Sequence, residues 1–310
     1  MASFHIKRDQ VHWTWNNAHA PVVTVRSGDL ITLEVANASG GQIQIDSTVQ
    51  DVAHLDFTRV NPVSGPVFVE SAEPGDALLV EVLGMEMDSW GWTANIPGFG
   101  LLAEEFSEPH LRISRVGTDY AEILSGIFIP VCPFIGTIGV APAQSGDHPL
   151  VPPSVQGGNM DMRDVTTGCK LWLPVAVPGA LLSVGDTHAA QGDGEVAGTA
   201  IETSSMVTLR VYLQKNVRLG TPRLESDSRT RRQGGAWVTT GIGPDLLQAA
   251  RHATREMIDW LGQWTGLSRL DAYLLLSVAG DLAISEVVDA PNWVVSMRLG
   301  KDIFERSGSS

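Results

Sequence analysis

The run VGDTHAAQGDGE, from Val184 to Glu195, sets Asp186 and His188 two residues apart behind the apolar stretch LWLPVAVPGALLS. Side chains alternate along an extended strand, so this spacing points a carboxylate and an imidazole to the same face. Such a pair can share a divalent ion. Zinc takes histidine nitrogen and carboxylate oxygen at about 2.0–2.2 Å, and keeps one position open when it is catalytic. Gly192 and Gly194 let the backbone turn tightly around Asp193 and bring amide groups towards a ligand. Glu195 follows at once, within reach as a general base. An acidic turn that caps its own backbone would have the same composition.

Two further polar islands stand in apolar surroundings. QGGNMDMRD (Gln156 to Asp164) carries the Gly157–Gly158 pair, Asn159, Asp161, Arg163 and Asp164, and VQDVAHLDF (Val49 to Phe57) carries Asp51, His54 and Asp56. Singly they have ordinary explanations: an Asp161–Arg163 ion pair, a core histidine at 54. Together, in one β-rich half, they fit a site assembled from loop ends on a β scaffold.

The elements that must position these residues are mostly strands. VVTV, LITLEVAN, PVFVE and DALLVEVLGMEM are short β-branched and aliphatic runs broken by RSGD, NPVSGP and EPGD. Their spacing predicts sandwich or barrel-like layers over residues 1–203 rather than βαβ units. WGWTANIPGFGLLAEEF (Trp90 to Phe106) has no periodicity and is expected to be a long loop bordering a pocket. Residues 204–310 form an α+β part packed against the first. MVTLRVYLQK and AWVTTG are strands around the polar piece SDSRTRRQGG. A helix starts at Pro244 with Leu246, Leu247, Ala250, Met257, Ile258 and Leu261 at helical spacing and Gly266 past its end. SRLDAYLLLSVAGDL is a second helix with Ser268 as N-cap, NWVVSMRL a closing strand, and ERSGSS a fraying tail.

Composition narrows the function classes. The 310 residues suffice for one large domain or two packed ones. A net charge of −14 with scattered Lys and Arg excludes a phosphate-backbone binder. Cys132 and Cys169 make no disulfide framework, the N-terminus has no apolar signal core, and no segment nears the roughly twenty apolar residues of a membrane span. The expectation is a soluble cytoplasmic protein that binds neither nucleic acid nor membrane.

The chain resembles the acetamidase/formamidase family. The resemblance lies in AHLDFTRVNPVSGPVFVESAEPGDALLVEV, PFIGTIGVAPA, GGNMDMRD, LWLPVAVPGALLSVGDTHAAQGDGEVAGTAIE, TTGIGPDL and AYLLLSVAGDLAISEVVD, in order from about His54 to Asp289. It implies hydrolysis of the carbon–nitrogen bond of a small aliphatic amide with release of ammonia, a β-rich fold with an α+β C-terminal part, and a homo-oligomer. Members of the family often carry cysteine where this chain has Ala197; Val196 to Ala200 is expected to be a packed strand of small residues.

Amide hydrolysis needs a nucleophile, a polarised carbonyl and a proton for the leaving nitrogen, and a divalent ion supplies the first two. Zinc, with calcium as the other choice, is assigned to Asp186, His188 and His54. Glu195 is the base, with Asp193 and then Asp161 as substitutes. Asn159, Gln191, Gly192 and Trp92 are expected to touch the substrate, and the Gly157, Gly158 and Gly192–Gly194 amides to face its oxyanion. Two alternatives stay open. One is a metal-free covalent amidase of the Glu-Lys-Cys kind, needing Cys169 or Cys132 near a lysine. The other is a non-catalytic β-sandwich that binds a small polar ligand.

Overall fold

The computed structural model describes residues 1–226 and 235–305, so most of SDSRTRRQGG and the ERSGSS tail lie outside the described residues. Two large sheets carry the fold. The nine-stranded sheet runs in the order Ser3–Ile6, Leu30–Val35, Ser205–Gln214, Ala77–Met87, Lys170–Pro174, Arg223–Ser226, Ala236–Gly243, Trp293–Gly300, Gly280–Glu286. The eleven-stranded sheet is built around Leu182–His188, Phe134–Gly139 and Val63–Val69. Its outer part is a meander of Trp90–Asn95, His110–Val116, Tyr120–Leu124 and Ile127–Pro130.

The strands face one another because their apolar side chains alternate. Leu30–Val35 buries every second residue fully, and Ser205–Gln214 does the same over its first half. Ile31, Leu33, Val80, Leu171, Val207 and Leu209 of the first sheet pack in one core with Val67, Ile135, Ile138, Leu182 and Val184 of the second. This is the layered, mainly β architecture the strand spacing predicts.

The C-terminal helices follow their local signals. Leu246–Thr265 starts on Asp245, whose carboxylate accepts from the Gln248 amide, and stops at left-handed Gly266. It turns Ala249, Ala253, Met257, Ile258 and Leu261 inward, so the stripe is shifted from the predicted one and Leu247 is exposed. Ser268 caps Arg269–Ala279 as expected.

Three expectations change. The second helix ends at Ala279, and GDL does not continue it, because Gly280–Glu286 pairs along Trp293–Gly300 as an edge strand. Trp90–Asn95 is a strand rather than loop, tied to His110–Val116 and Glu202. Val196 to Ala200 is a turn, not a strand. The nine-stranded sheet takes strands from both sides of residue 203: Ser205–Gln214 lies between Leu30–Val35 and Ala77–Met87.

Candidate active site

Every residue of the Leu182–His188 strand is buried. One edge pairs with Phe134–Gly139, the other with Val63–Val69 and then Glu202–Thr203. Alternation brings Asp186 and His188 to one face, with Nε2 of His188 3.0 Å from Oδ1 of Asp186. The same nitrogen lies 3.1 Å from Oε2 of Glu202 and 3.9 Å from Oδ1 of Asp161. Asp161, Asp186 and His188 bring one donor atom each within 4.8 Å of one another; so do His188, Glu195 and Glu202, and so do Asp161, Glu195 and Asp289. Five carboxyls and one imidazole thus share a cluster in which no residue is more than 6 % exposed.

The short distances within it are not hydrogen bonds. Both carboxylate oxygens of Asp161, Oδ1 of Asp186, Nε2 of His188 and Oε2 of Glu202 are buried without a hydrogen-bond partner among the described residues. Polar atoms left so are costly unless something absent from the protein chain satisfies them. The orientation of His188 is fixed from behind. Gln191 donates its Nε2 to the Asp161 carbonyl at 2.9 Å, so its Oε1 faces Nδ1 of His188 at 2.8 Å and accepts the proton there. In its neutral form His188 would present the lone pair of Nε2 to the carboxylates, the arrangement of a metal-ligating histidine.

The charges respond to burial. Burial pushes the Asp161 carboxyl well up, and the charges of Asp186 and Asp289 push it further. Glu195 is raised by burial and by Asp161, and Asp289 by burial and by Glu286 and Glu195. Glu202 is raised to about 7, mainly by burial. Asp186 alone goes down: burial opposes ionisation, but the adjacent His188 outweighs it. His188 goes well up, because Glu202 and Asp186 overcome its burial. Without an external cation the cluster must hold protons.

Backbone strain is concentrated here. Asp161, Asp186 and Glu195 have φ of 45°, 50° and 46°. Non-glycine residues rarely take that conformation, and it is sustained where the surroundings over-determine it. Gly136, opposite Asp186 in the register, makes the approach possible. A Cβ there would stand 2.8 Å from the Asp186 carbonyl oxygen and closer still to Oδ1 of Asp161. Gly136→Ala is accordingly expected to cost about 1–3 kcal/mol through overpacking and to weaken whatever the cluster binds. A melting curve unchanged from wild type would contradict this.

The cluster opens on a chamber of about 40 Å³. Its lining combines the polar Asn61, Asn159, Asp186, Glu195, Glu202 and Asp289 with the apolar Leu55, Phe57, Val60, Trp92, Ile96 and Phe99. At about 10–15 Å³ per water, the space suits a solute of three or four non-hydrogen atoms. Asn159 donates to Asp289 at 2.6 Å and accepts from Asn61 and Thr137. Glu286 accepts from the amides of Val288 and Asp289 and so holds the turn that presents Asp289.

The structure brings together Asp161, Asp186, His188 and Glu195, and puts Asn159 and Trp92 on the chamber wall. It separates the rest. His54 ends the helix Val49–Ala53, exposed, with Nδ1 donating to the Gln50 carbonyl, and stands outside the cluster. Asp193 lies 3.7 Å from Arg163 rather than among the carboxyls. Gln191 supports His188 from outside the chamber, Gly192 is exposed, and neither lines it. Gly157 spends its amide on the Ser154 carbonyl, and Gly158 pairs with Ile138. Glu202 and Asp289 were not anticipated. The signal available was a carboxylate closing a run of small apolar residues, in GTAIE and in SEVVD.

The profile of the Acetamidase/Formamidase family matches residues 2–147 and 143–306. The formamidase of Methylophilus methylotrophus is 27% identical over 366 residues, covering 96% of this chain and 90% of that protein. The acetamidase of Mycolicibacterium smegmatis is 27% identical over 354 residues, covering 88% and 87%. The crystal structure of an acetamidase from Bacillus halodurans aligns with a TM-score of 0.89 at 32% identity, covering 98% of this chain and 100% of that one. The matched stretches contain the whole buried cluster, and the chain belongs to the acetamidase/formamidase family.

Proposed function

We propose that this chain hydrolyses a short aliphatic amide of the formamide or acetamide class to carboxylate and ammonia, with water as nucleophile and Glu195 as the base. The observation that carries this reading is the buried carboxylate–imidazole cluster at the wall of a chamber sized for three or four non-hydrogen atoms.

A divalent ion fits the cluster. Its unpartnered oxygens and the bare Nε2 of His188 are ligand atoms, and the excess of carboxylate needs positive charge. Asp186, His188 and Asp161 would hold the ion, with Glu202 beside them; imidazole with carboxylate suits zinc, and the surplus of oxygen also suits calcium. When bound, such an ion supplies polarisation of the carbonyl and a more acidic water. The chain's own groups do the rest. Glu195, raised by burial, takes the proton of the attacking water and returns it to the departing nitrogen. Asn159 keeps Asp289 in place, and the apolar wall limits competing water.

The covalent alternative finds no support in the lining, which contains neither cysteine nor lysine among the described residues. Cys169 sits in the core, where burial pushes its thiol far up, and Cys132 is exposed. The two unpaired thiols support a reducing compartment, and no described helix is long and apolar enough to cross a membrane. Exposed Leu270, Tyr273, Leu274 and Val278 on one helix, with Leu282 and Ile284 on the edge strand, support a homo-oligomer.

Ammonia release from formamide, acetamide, propionamide and urea, with metal analysis of the same sample, tests the proposal. Turnover of at least one amide, lost on chelation and restored by a divalent ion, is expected. No release from any amide would refute the activity, and full turnover in metal-free protein would remove the ion.

A further inference from the structure

The chamber has a neighbour. Phe99 also lines an apolar cleft of about 740 Å³, together with Leu101, Leu102, Phe106, Pro109, Val196 and Ala197. Phe99 borders both spaces. The cleft is built of side chains that packing does not explain: Leu101, Leu102, Phe106 and Val196 are 50–59% exposed. Exposed apolar residues clustered around a concavity mark a surface that meets something apolar.

The ring of Phe99 is fixed as a wall. It lies against the backbone of Gly198, where an added Cβ would come within 2.7 Å of Cε1. It also meets Phe57 edge-on, with ring centroids 6.1 Å apart. The segment is tied down on both flanks, since the Phe99 amide donates to Ile96 and the Leu101 amide to Val196. Val196 directly follows Glu195, so the wall and the proposed base belong to one framework.

Resting on the amide-hydrolase reading, we infer that Phe99 is a specificity-determining residue: its ring closes the chamber against the apolar cleft and so restricts the substrate to short acyl chains. Removing the ring joins the spaces, and the alkyl tail of a longer linear amide runs over Gly198 and lies along Leu101, Leu102 and Val196. Each methylene so buried favours the longer substrate by about 0.8 kcal/mol, roughly fourfold. The steric rejection that disappears with the ring is larger, about 10–200-fold.

The test compares kcat/KM for formamide, acetamide, butyramide and hexanamide in wild type, Phe99→Ala, Phe99→Leu and the double variant Phe99→Ala/Ala197→Trp. The hexanamide-to-acetamide ratio is expected to rise by about 10-fold or more in Phe99→Ala, less in Phe99→Leu, and to fall back when Trp fills the cleft in the double variant. Phe99→Leu keeps the test decisive if Phe99→Ala does not fold. An unchanged ratio in variants that still turn over acetamide overturns the role of Phe99 and leaves the amidase reading intact. A uniform loss for all four amides also overturns it. Failure of wild type to release ammonia from any amide overturns the amidase reading itself, and this inference with it.

Discussion

Replacing Glu195 by Gln is expected to lower turnover by about 10²–10⁴-fold while the proposed metal and the fold remain. The variant keeps the size and hydrogen-bonding capacity of the side chain but cannot accept a proton. Glu195 is buried on the chamber wall at φ 46°. Its removal as a charge relieves repulsion from Asp161 and Asp289, so stability does not fall. The loss lies in the transition state, and Michaelis constants change little. Metal analysis and steady-state kinetics on one preparation check this. Near-normal turnover would move the proton transfer to Asp161 or Glu202, since Asp193 is held beside Arg163.

The second large effect has opposite signs for activity and stability. Asp161→Asn removes a proposed ligand, and metal affinity should fall by at least the roughly 10–100-fold seen when a ligand's supporting partner is lost. Activity falls with it. The stripped protein, however, should melt a few degrees higher, because a buried carboxyl facing Asp186 and Asp289 is replaced by a neutral isostere that tolerates φ near 45°. The pH dependence follows the same logic. Asp161, Glu195, Glu202 and Asp289 all bind protons more tightly folded than unfolded, and so does His188. Their contribution is complete below the unfolded carboxylate range and is lost as pH rises through the raised values, Glu202 and Glu286 near about 7. Asp186 and His12, which burial lowers to about 4, work in the other direction, but they are two groups against six. Chelated protein is therefore expected to melt higher at about pH 5.5 than at about pH 8, and Asp161→Asn to flatten that slope. Melting temperatures in excess chelator decide it; a steeper slope in the variant would contradict the assignment.

What sequence could reveal depended on how far apart the cooperating residues lie. Asp186 and His188 were legible because they share one strand, and strand alternation is a local rule. Glu195 followed because a tight turn keeps it near. The helix starting on Asp245 and the Ser268 cap were legible for the same reason. His54 misled because its surroundings form a helix rather than a strand end. The Thr48–Asp51 capping box was the available signal, and it places His54 at the exposed end of Val49–Ala53. Glu202 and Asp289 reach the cluster through pairings with other segments, such as Glu202 with His188, and the carboxylates closing GTAIE and SEVVD do not by themselves specify those pairings. The Gly280–Glu286 strand was hidden because its partner, not its composition, makes it a strand.

The order in which the segments of the acidic cluster appear along the chain has a consequence for biosynthesis. Asp161, Asp186, His188, Glu195 and Glu202 emerge close together, whereas Ser285, Glu286 and Asp289 come much later. The carbonyl of Ser285 accepts from the Gly194 amide, directly before Glu195. A nascent chain on the ribosome, growing at about 5–20 residues per second, thus spends several seconds with most of its carboxylates made and the strut beneath Glu195 not yet translated. The acidic centre is completed only when the last edge strand docks. Loading of the proposed ion would accordingly be a late, post-translational event, and fragments ending before residue 285 are expected to lack a finished pocket.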